Sequence, residues 1–381
     1  MKIALNAHLL SGTPGYRSAG IHGYIDGTLR HLSAAAAEHA PSWTFTVYVG
    51  GTNPRTYPGL TMRRAPFATE SPAARILWEQ AVQPFSLISG EYALVHGMAF
   101  ASPVLNPVPA VVTVYDLSFV HHPERLTAMR RLYLRFSTPL SVRRARRVIA
   151  ISYSTARDLT ATLGTPPGKI DVAAPGHDPQ VFRPLPHAEI EAFRAAKGLP
   201  ERFWLFIGTL EPRKNLVTLI EAYAALDRAH RLPLVIGGGK GWDYQPIFDA
   251  VARHRLEADI HFPGFIPADE LQLWYNAANV FLYPSVFEGF GLPVLEAMAC
   301  GTPVVISDAS SLPEVAGDAG IAVPPHDVQA WTAALRRIHQ DESWRAGARE
   351  RGQANAARYT WKVTAAAAVS SYRKALKEIF S

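Results

Sequence analysis

The feature that most limits what this chain can become is a repeated alternation of short apolar runs with longer segments of helical period. "KIALNA" (2–7), "FTVYVG" (45–50), "LVHG" (94–97), "AVVTVYD" (110–116) and "RVIAIS" (147–152) occupy the first half. "FWLFIG" (203–208), "LPLVIGG" (232–238), "DIHFPG" (259–264), "VFLYPS" (280–285), "TPVVIS" (302–307) and "AGIAVP" (319–324) occupy the second. Most close on Gly, Ser, Pro or Asp, and several are apolar at consecutive positions rather than at every second one. A strand with no polar face is covered on both sides, as parallel strands between two layers of helices are. The expected class is α/β with doubly wound sheets, whose ligands lie beyond the carboxyl ends of the strands.

A break in this pattern falls at "APGHDPQVFRPLPHAEI" (174–190), which holds four prolines and no strand signal. It reads as a linker between two Rossmann-like halves, and 381 residues suffice for both. The expected division is 1–180 and 181–360, with the segment 361–381 a plain helix by propensity. Two such halves predict a cleft suited to a ligand with two ends. No apolar run reaches the 18 residues of a membrane span. The opening "MKIALNAHLLSG" is interrupted by Asn6 and His8 and reads as a buried first strand rather than a leader. The single cysteine, Cys300, excludes an internal disulfide and a Cys-based metal cluster and suits a reducing compartment. A net charge of +6 suits nucleic acid, anionic lipid or a phosphorylated small molecule alike.

"SVFEGFGLPVLEAMACGTPVV" (285–305) joins a strand to a helix through a Gly-rich loop. Pro293 fits the first helical position and Gly301 the residue after the helix. The N–H groups of Phe290, Gly291 and Leu292 would then project from a helix N-terminus, an anion site. Glu288 lies in the loop and Glu296 about one turn into the helix. Each either accepts from ligand hydroxyls or has a structural role, Glu288 as a cap and Glu296 paired with an Arg.

"GTLEPRKNL" (208–216) follows a strand, with Gly208 at the strand end. Arg213 and Lys214 sit where positive charge opposes the dipole of the next helix. A bound diphosphate explains that placement; a solvated pair beside Glu211 is the alternative. "RSAGIHGYIDGTLRHL" (17–32) places Gly20 and Gly23 before a helix without forming a GxGxxG fingerprint. "VVTVYDLSFVHHPE" (111–124) puts Asp116 at a strand tip, with Tyr115, His121 and His122 nearby. Asp116 either acts there or caps a turn, and adjacent histidines are poorly placed to share a metal. "MRRLYLRFSTPLSVRRARR" (129–147) carries seven arginines and no acid, with Pro139 breaking any long amphipathic helix. It faces either an anionic surface or solvent. Loops 50–75 and 98–110 carry no readable acceptor code.

Taken together, "FEGFGLPVLEAMACGTPVV" resembles the Glu-x7-Glu signature of retaining glycosyltransferases of family four. "GTLEPRKNL" is similar to their diphosphate-binding motif and "SAGIHGYI" to their N-terminal glycine loop. "FPGFIPADELQLWYNAANVFLYPS" (262–285) resembles the segment before the signature. The resemblance implies the GT-B fold, with a nucleotide-sugar donor held mainly by the C-terminal domain, an acceptor held mainly by the N-terminal one, and the last helix returning to the N-terminal domain. It implies a retaining, metal-independent hexosyl transfer with no cofactor beyond the donor. Arg213, Lys214 and the helix N-terminus would stabilise the leaving diphosphate. Glu288 would orient the transferred sugar, Glu296 would hold the ribose, the backbone near Phe265 and Ile266 would receive the base, and Gly20 would let its loop approach the phosphates.

Where many relatives carry a strand-tip histidine this chain has Tyr115, so the sugar-side contact passes to Asp116 or His121. Similarity to bacterial mannosyltransferases makes GDP-mannose the first expected donor, with UDP-glucose-type donors next. The expected location is cytoplasmic, with peripheral membrane contact through 130–147. A Rossmann oxidoreductase would need a GxGxxG turn that neither half has. A nucleic-acid binder would need aromatics among the arginines. A non-catalytic sugar-binding protein on the same fold is the remaining rival.

Overall fold

A computed structural model of the chain describes residues 1–10, 20–50, 55–67, 69, 72–121 and 128–377. The chain forms two compact units, Met1–Gly176 with Trp361–Ser381, and His177–Thr360. The boundary falls inside the proline-rich stretch.

The first unit runs β1 (Lys2–Asn6), α1 (Gly20–His39), β2 (Thr44–Val49), β3 (Leu60–Arg64), α2 (Pro72–Leu77), α3 (Gln83–Ser89) and β4 (Leu94–Gly97). It continues through β5 (Ala110–Val114), α4 (Ser118–His121), α5 (Ala128–Arg144), β6 (Arg147–Ala150), α6 (Tyr153–Leu163) and β7 (Ile170–Val172). Its seven strands lie in the order β3-β2-β1-β4-β5-β6-β7, all parallel. Ile3 registers with Phe45 on one side and with Leu94 on the other, so the order reverses at β1. Such a reversal leaves a crevice at the carboxyl ends of the two strands that flank it.

The second unit contains α7 (His187–Lys197), β8 (Trp204–Ile207), α8 (Leu216–Ala224), β9 (Leu234–Gly237), α9 (Gln245–His254), β10 (Ile260–Gly264) and α10 (Leu271–Ala277). It ends with β11 (Val280–Tyr283), α11 (Leu292–Ala299), β12 (Val304–Ser307), α12 (Leu312–Ala316), β13 (Ile321–Val323), α13 (Val328–Gln340) and α14 (Glu342–Ala356). Its sheet has the same pattern, β10-β9-β8-β11-β12-β13, again all parallel, with the reversal between β8 and β11.

The structure corrects the sequence reading at three places. The stretch 50–75, read as loop, contains β3, and β7 has no counterpart among the expected strands. Both are edge strands, paired on one side only and never fully buried. Neither shows the unbroken apolar run that marks a covered strand. Pro139 does not break its helix: α5 continues through it from Ala128 to Arg144. Thr138, beside it, is fully buried, and packing holds the helix across the missing N–H.

The final helix, α15 (Trp361–Lys377), belongs to the first unit. Ala365, Ala368, Val369, Tyr372, Ala375 and Leu376 enter one core with Ile25, Leu29, Leu32, Ala35 and Ala36 of α1. Small residues on both helices let them approach closely. His96 pins α15 to the sheet: its Nδ1 lies 2.7 Å from the Tyr372 hydroxyl and its Nε2 2.8 Å from Thr113 Oγ1. Burial drives its pKa down to about 3, so the ring is neutral. Gly27 marks the tightest contact, since a Cβ there would fall 2.3 Å from the Trp361 ring. Gly27→Ala should therefore destabilise the first unit by about 1–3 kcal/mol through overpacking. An unchanged thermal midpoint in calorimetry would refute this.

Candidate functional site

Strands β8 and β11 are neighbours, with Trp204 opposite Val280 and Leu205 opposite Phe281. Their carboxyl ends lead into the two loops that carry the singled-out charges. After β8, Gly208 donates its amide to Gly237 O at 2.9 Å, and Pro212–Lys214 form a single 3-10 turn. Asn215 then takes a left-handed conformation (φ 54°) and donates to Pro325 O at 2.5 Å while accepting from Thr218 Oγ1 at 2.8 Å. Arg213 and Lys214 thus precede α8 rather than lying in its first turn.

The two cations are buried, not solvated. Arg213 contacts Glu211 Oε1 at 2.8 Å and Glu288 Oε1 at 2.6 Å, and donates to Phe287 O at 2.5 Å. Lys214, only 5% exposed, reaches Glu288 Oε1 at 2.6 Å and the Tyr283 hydroxyl at 2.5 Å. Ser285 Oγ, fully buried, donates to the same Glu288 oxygen at 2.7 Å. Three side chains thus converge on Oε1, while the second oxygen of Glu288 accepts none of these bonds. Burial alone would raise the Glu288 pKa, but Arg213 and Lys214 outweigh it and hold the carboxylate well below its usual range. Burial and the neighbouring Arg213 push Lys214 down to about 8. Tyr283 is stacked between Phe206 (5.7 Å) and Phe281 (5.6 Å), which fixes its hydroxyl beneath the lysine.

The loop between β11 and α11 is held from below by serines. Ser310 Oγ accepts from Glu288 N and donates to Glu288 O, both at 2.8 Å. Ser311 Oγ lies 3.0 Å from Glu288 O and 2.6 Å from Phe290 O. Gly291 adopts φ 114°, and a Cβ there would lie 2.7 Å from Leu312, so only glycine fits this cap. The amides of Phe290, Gly291 and Leu292 have no acceptor among the described residues. Such amides at a helix start form an anion cradle.

Glu296 turns to a different partner: Tyr275 of α10 donates to its Oε2 at 3.1 Å. Neither of the structural alternatives holds, since Glu288 does not cap the helix and Glu296 pairs with no arginine among the described residues. Burial pushes Glu296 up to about 8, with Tyr275 opposing. Phe265 is exposed after β10, and Ile266 is buried against Gly237 at the end of β9.

Gly208, Arg213, Lys214, Glu288, Glu296 and the three amides therefore gather around the ends of β8 and β11. Gly20 and Asp116 belong to the first unit. Asp116 Oδ1 accepts from Ser118 N at 2.8 Å and closes a turn. Tyr115 is buried and donates to Met98 O at 2.9 Å. His121 Nε2 lies 2.9 Å from Asp158. Gly20 opens α1, whereas His122 and residues 17–19 of the glycine loop lie outside the described residues. Sequence reasoning missed Tyr275, Tyr283, Ser285, Ser310 and Ser311. The serine-rich "DASS" (308–311) and the strand-end places of Tyr283 and Ser285 were the available signals, whereas Tyr275 lies inside α10 and carried none. Among the described residues no three His, Cys, Asp or Glu side chains gather to hold a metal.

Comparison with known proteins agrees with this geometry. The family described as "Glycosyl transferases group 1" matches residues 189–357, and "Glycosyltransferase Family 4" matches 26–181. O-antigen chain mannosyltransferase B of Escherichia coli is 33% identical over 314 residues, covering 82% of this chain and 81% of that protein. Sucrose-phosphate synthase of Thermosynechococcus elongatus superposes with a TM-score of 0.78 at 23% identity, covering 100% and 99% of the two chains. Anabaena HepE, solved with UDP and glucose, gives 0.70 at 20% identity, covering 98% and 99%. With its two Rossmann-like units and its charged β8–β11 crevice, this chain belongs to the family 4 glycosyltransferases of the GT-B fold.

Proposed function

We propose that the chain transfers a hexose, mannose in the first instance, from a nucleoside-diphosphate sugar to a hydroxyl acceptor, with retention of configuration and without a metal. The observation that carries this reading is the convergence of Arg213, Lys214 and the free amides of Phe290, Gly291 and Leu292 at the ends of β8 and β11. Fixed positive charge and oriented dipoles at one point suit a leaving diphosphate, on which negative charge grows as the bond to the sugar breaks. The second oxygen of Glu288 accepts from sugar hydroxyls while its first stays with the cations. Glu296 accepts from the ribose, and the backbone at Phe265 and Ile266 receives the base. The acceptor oxygen attacks the anomeric carbon on the face the leaving group departs from, and its proton passes to the departing phosphate oxygen. Mannose is favoured by the Escherichia coli relative; the UDP-bound Anabaena structure keeps a uridine donor as second choice. Gly20 and Asp116 remain candidates on the resemblance alone, with no step assigned to them.

On this reading the chain works in the cytoplasm at the inner face of a membrane. No helix among the described residues is long and apolar enough to cross one. Met129, Leu132 and Phe136 are exposed at helical spacing along α5, and exposed Arg135, Arg143 and Arg144 lie on the same helix. Apolar side chains set among arginines suit an anionic lipid surface.

Arg213→Ala and Lys214→Ala should each weaken GDP binding by about 1.5–3 kcal/mol, the scale of hydrogen bonds to charged groups. Calorimetry giving unchanged affinity in both would sink the assignment. Two pH effects follow from the shifted groups. Lys214 loses its charge as pH rises through about 8, so GDP affinity should fall between pH 7 and 9. Lys214→Arg should flatten that fall, because guanidinium stays charged.

Glu296 has the opposite sign. Its folded pKa of about 8 lies above the ordinary 4.5, so its own contribution to stability is fully present below pH 4.5 and is lost as pH rises through about 8. Ribose hydroxyls donating to it would favour the carboxylate, so GDP binding at pH 7 should release a proton. Titrations in buffers of different ionisation enthalpy should detect that release in the wild type and not in Glu296→Gln. Equal release in both would remove Glu296 from the ribose role.

A further inference from the structure

A row of four aromatic rings supports the β8–β11 crevice. Phe281 and Tyr283 stand two apart on β11, so their side chains share one face of the sheet. Phe206 of β8 stacks on one side of Tyr283 with centroids 5.7 Å apart, and Phe281 stacks on the other at 5.6 Å. Tyr275 of α10 meets Phe281 edge-on at 5.3 Å and 83°. All four are buried, none more than 1% exposed. Thr302 Oγ1 donates to Tyr275 O at 2.6 Å and ties the outer end of the row to the loop before β12.

Only Tyr275 and Tyr283 in this row carry a hydroxyl, and each hydroxyl ends on a charged group of the candidate site. The Tyr275 hydroxyl donates to Glu296 Oε2 at 3.1 Å, which leaves Oε1 with no donor among the described residues. The Tyr283 hydroxyl accepts from Lys214 at 2.5 Å, and the ammonium lies 4.7 Å from the centre of the same ring. An ammonium has three donors. Glu288 and Tyr283 take two of those on Lys214, and one remains. Each tyrosine thus occupies one hydrogen-bonding place on its partner and leaves another open. Buried hydroxyls that only complete a core end on backbone carbonyls, as Tyr24 does on Ala173 O and Tyr223 on Leu232 O. Burial, with Glu296 beside one and Glu288 beside the other, holds both phenols well above their usual pKa, so both keep their protons.

A phenol that donates to a carboxylate favours its ionised form, and a phenol oxygen that accepts from an ammonium favours the charged amine. We infer that Tyr275 and Tyr283 are positioning residues for nucleotide binding, Tyr275 acting through Glu296 on the ribose and Tyr283 through Lys214 on the diphosphate, with Phe281 holding the two in register. The ligand ends named here rest on the proposed function; the positioning of Glu296 and Lys214 does not. Phenylalanine in place of either tyrosine keeps the row of rings and removes one hydrogen bond.

Calorimetry of GDP and of 2′,3′-dideoxy-GDP with the whole chain separates the two roles. Tyr275→Phe should weaken GDP about ten-fold, the low end for a hydrogen bond to a charged group, and leave dideoxy-GDP unchanged. Tyr283→Phe should weaken both nucleotides to the same degree and bring the loss of affinity with rising pH to a lower pH than in the wild type. Phe281→Leu should combine the two patterns, with near-ultraviolet circular dichroism as the control for folding. A ligand-free arm reads the two groups directly. Carbon-13 NMR titrations should show Glu296 ionising at higher pH in Tyr275→Phe and Lys214 losing its proton at lower pH in Tyr283→Phe. Equal weakening of GDP and dideoxy-GDP in folded Tyr275→Phe, or titrations unmoved in both variants, would overturn the proposal. Shifted titrations in a chain that binds no GDP would count against the donor-site reading and leave the positioning of Glu296 and Lys214 standing.

Discussion

The second unit is organised around one enclosed charge cluster, Arg213 and Lys214 against Glu211 and Glu288. Taking four ionised groups out of water is costly, and it is tolerated only where every charge meets an opposite one at short range. Here the pairing is also what fixes geometry. The cations come from the loop after β8 and Glu288 from the loop after β11, so a single carboxylate oxygen ties the two sides of the crevice together. Removing Glu288 would leave two buried cations facing one acid. The backbone bond from Val286 N to Arg213 O at 3.0 Å runs beside this link, and the serines of the β12–α12 loop hold the same turn from beneath. The orientation of the α11 amides is a consequence of that bracing.

A balanced cluster has a further property. Glu211 and Glu288 together balance the charge of Arg213 and Lys214, so neither cation stands as a bare positive charge. On the proposed function, an incoming diphosphate would compete with a carboxylate already in place, and a ligand that also offers hydroxyls to Glu288 would compete best. On that reading, selectivity for a sugar-bearing diphosphate over a bare one would reside in an internal ion pair rather than in a shaped pocket.

Much of this was legible in the chain. Apolar runs ending in Gly or Ser gave the parallel strands, because a strand buried on both faces has no freedom in its composition. Arg213, Lys214 and Glu288 stood out because charges at strand ends require partners. The remainder depends on contacts that leave no local trace. β3 and β7 are edge strands that need no apolar run, and Pro139 is carried by packing around it. Tyr275 meets Glu296 across 21 positions and Lys214 meets Glu288 across 74. Asp116 proved to close a turn, at least with one of its oxygens.

The connection between the units carries a consequence for synthesis. His177 N bonds Tyr359 O at 3.1 Å, and His177 bridges Thr360 in parallel, so the second unit leaves close to where it enters. It is, in sequence, an insertion between β7 and α15 of the first. On the ribosome its sheet is therefore complete before the first unit receives the helix that covers α1. Until α15 emerges, the apolar faces of Ile25, Leu29 and Leu32 have no lid, and the nascent chain carries an open core alongside a finished domain. The order of translation makes the earlier unit the later one to fold.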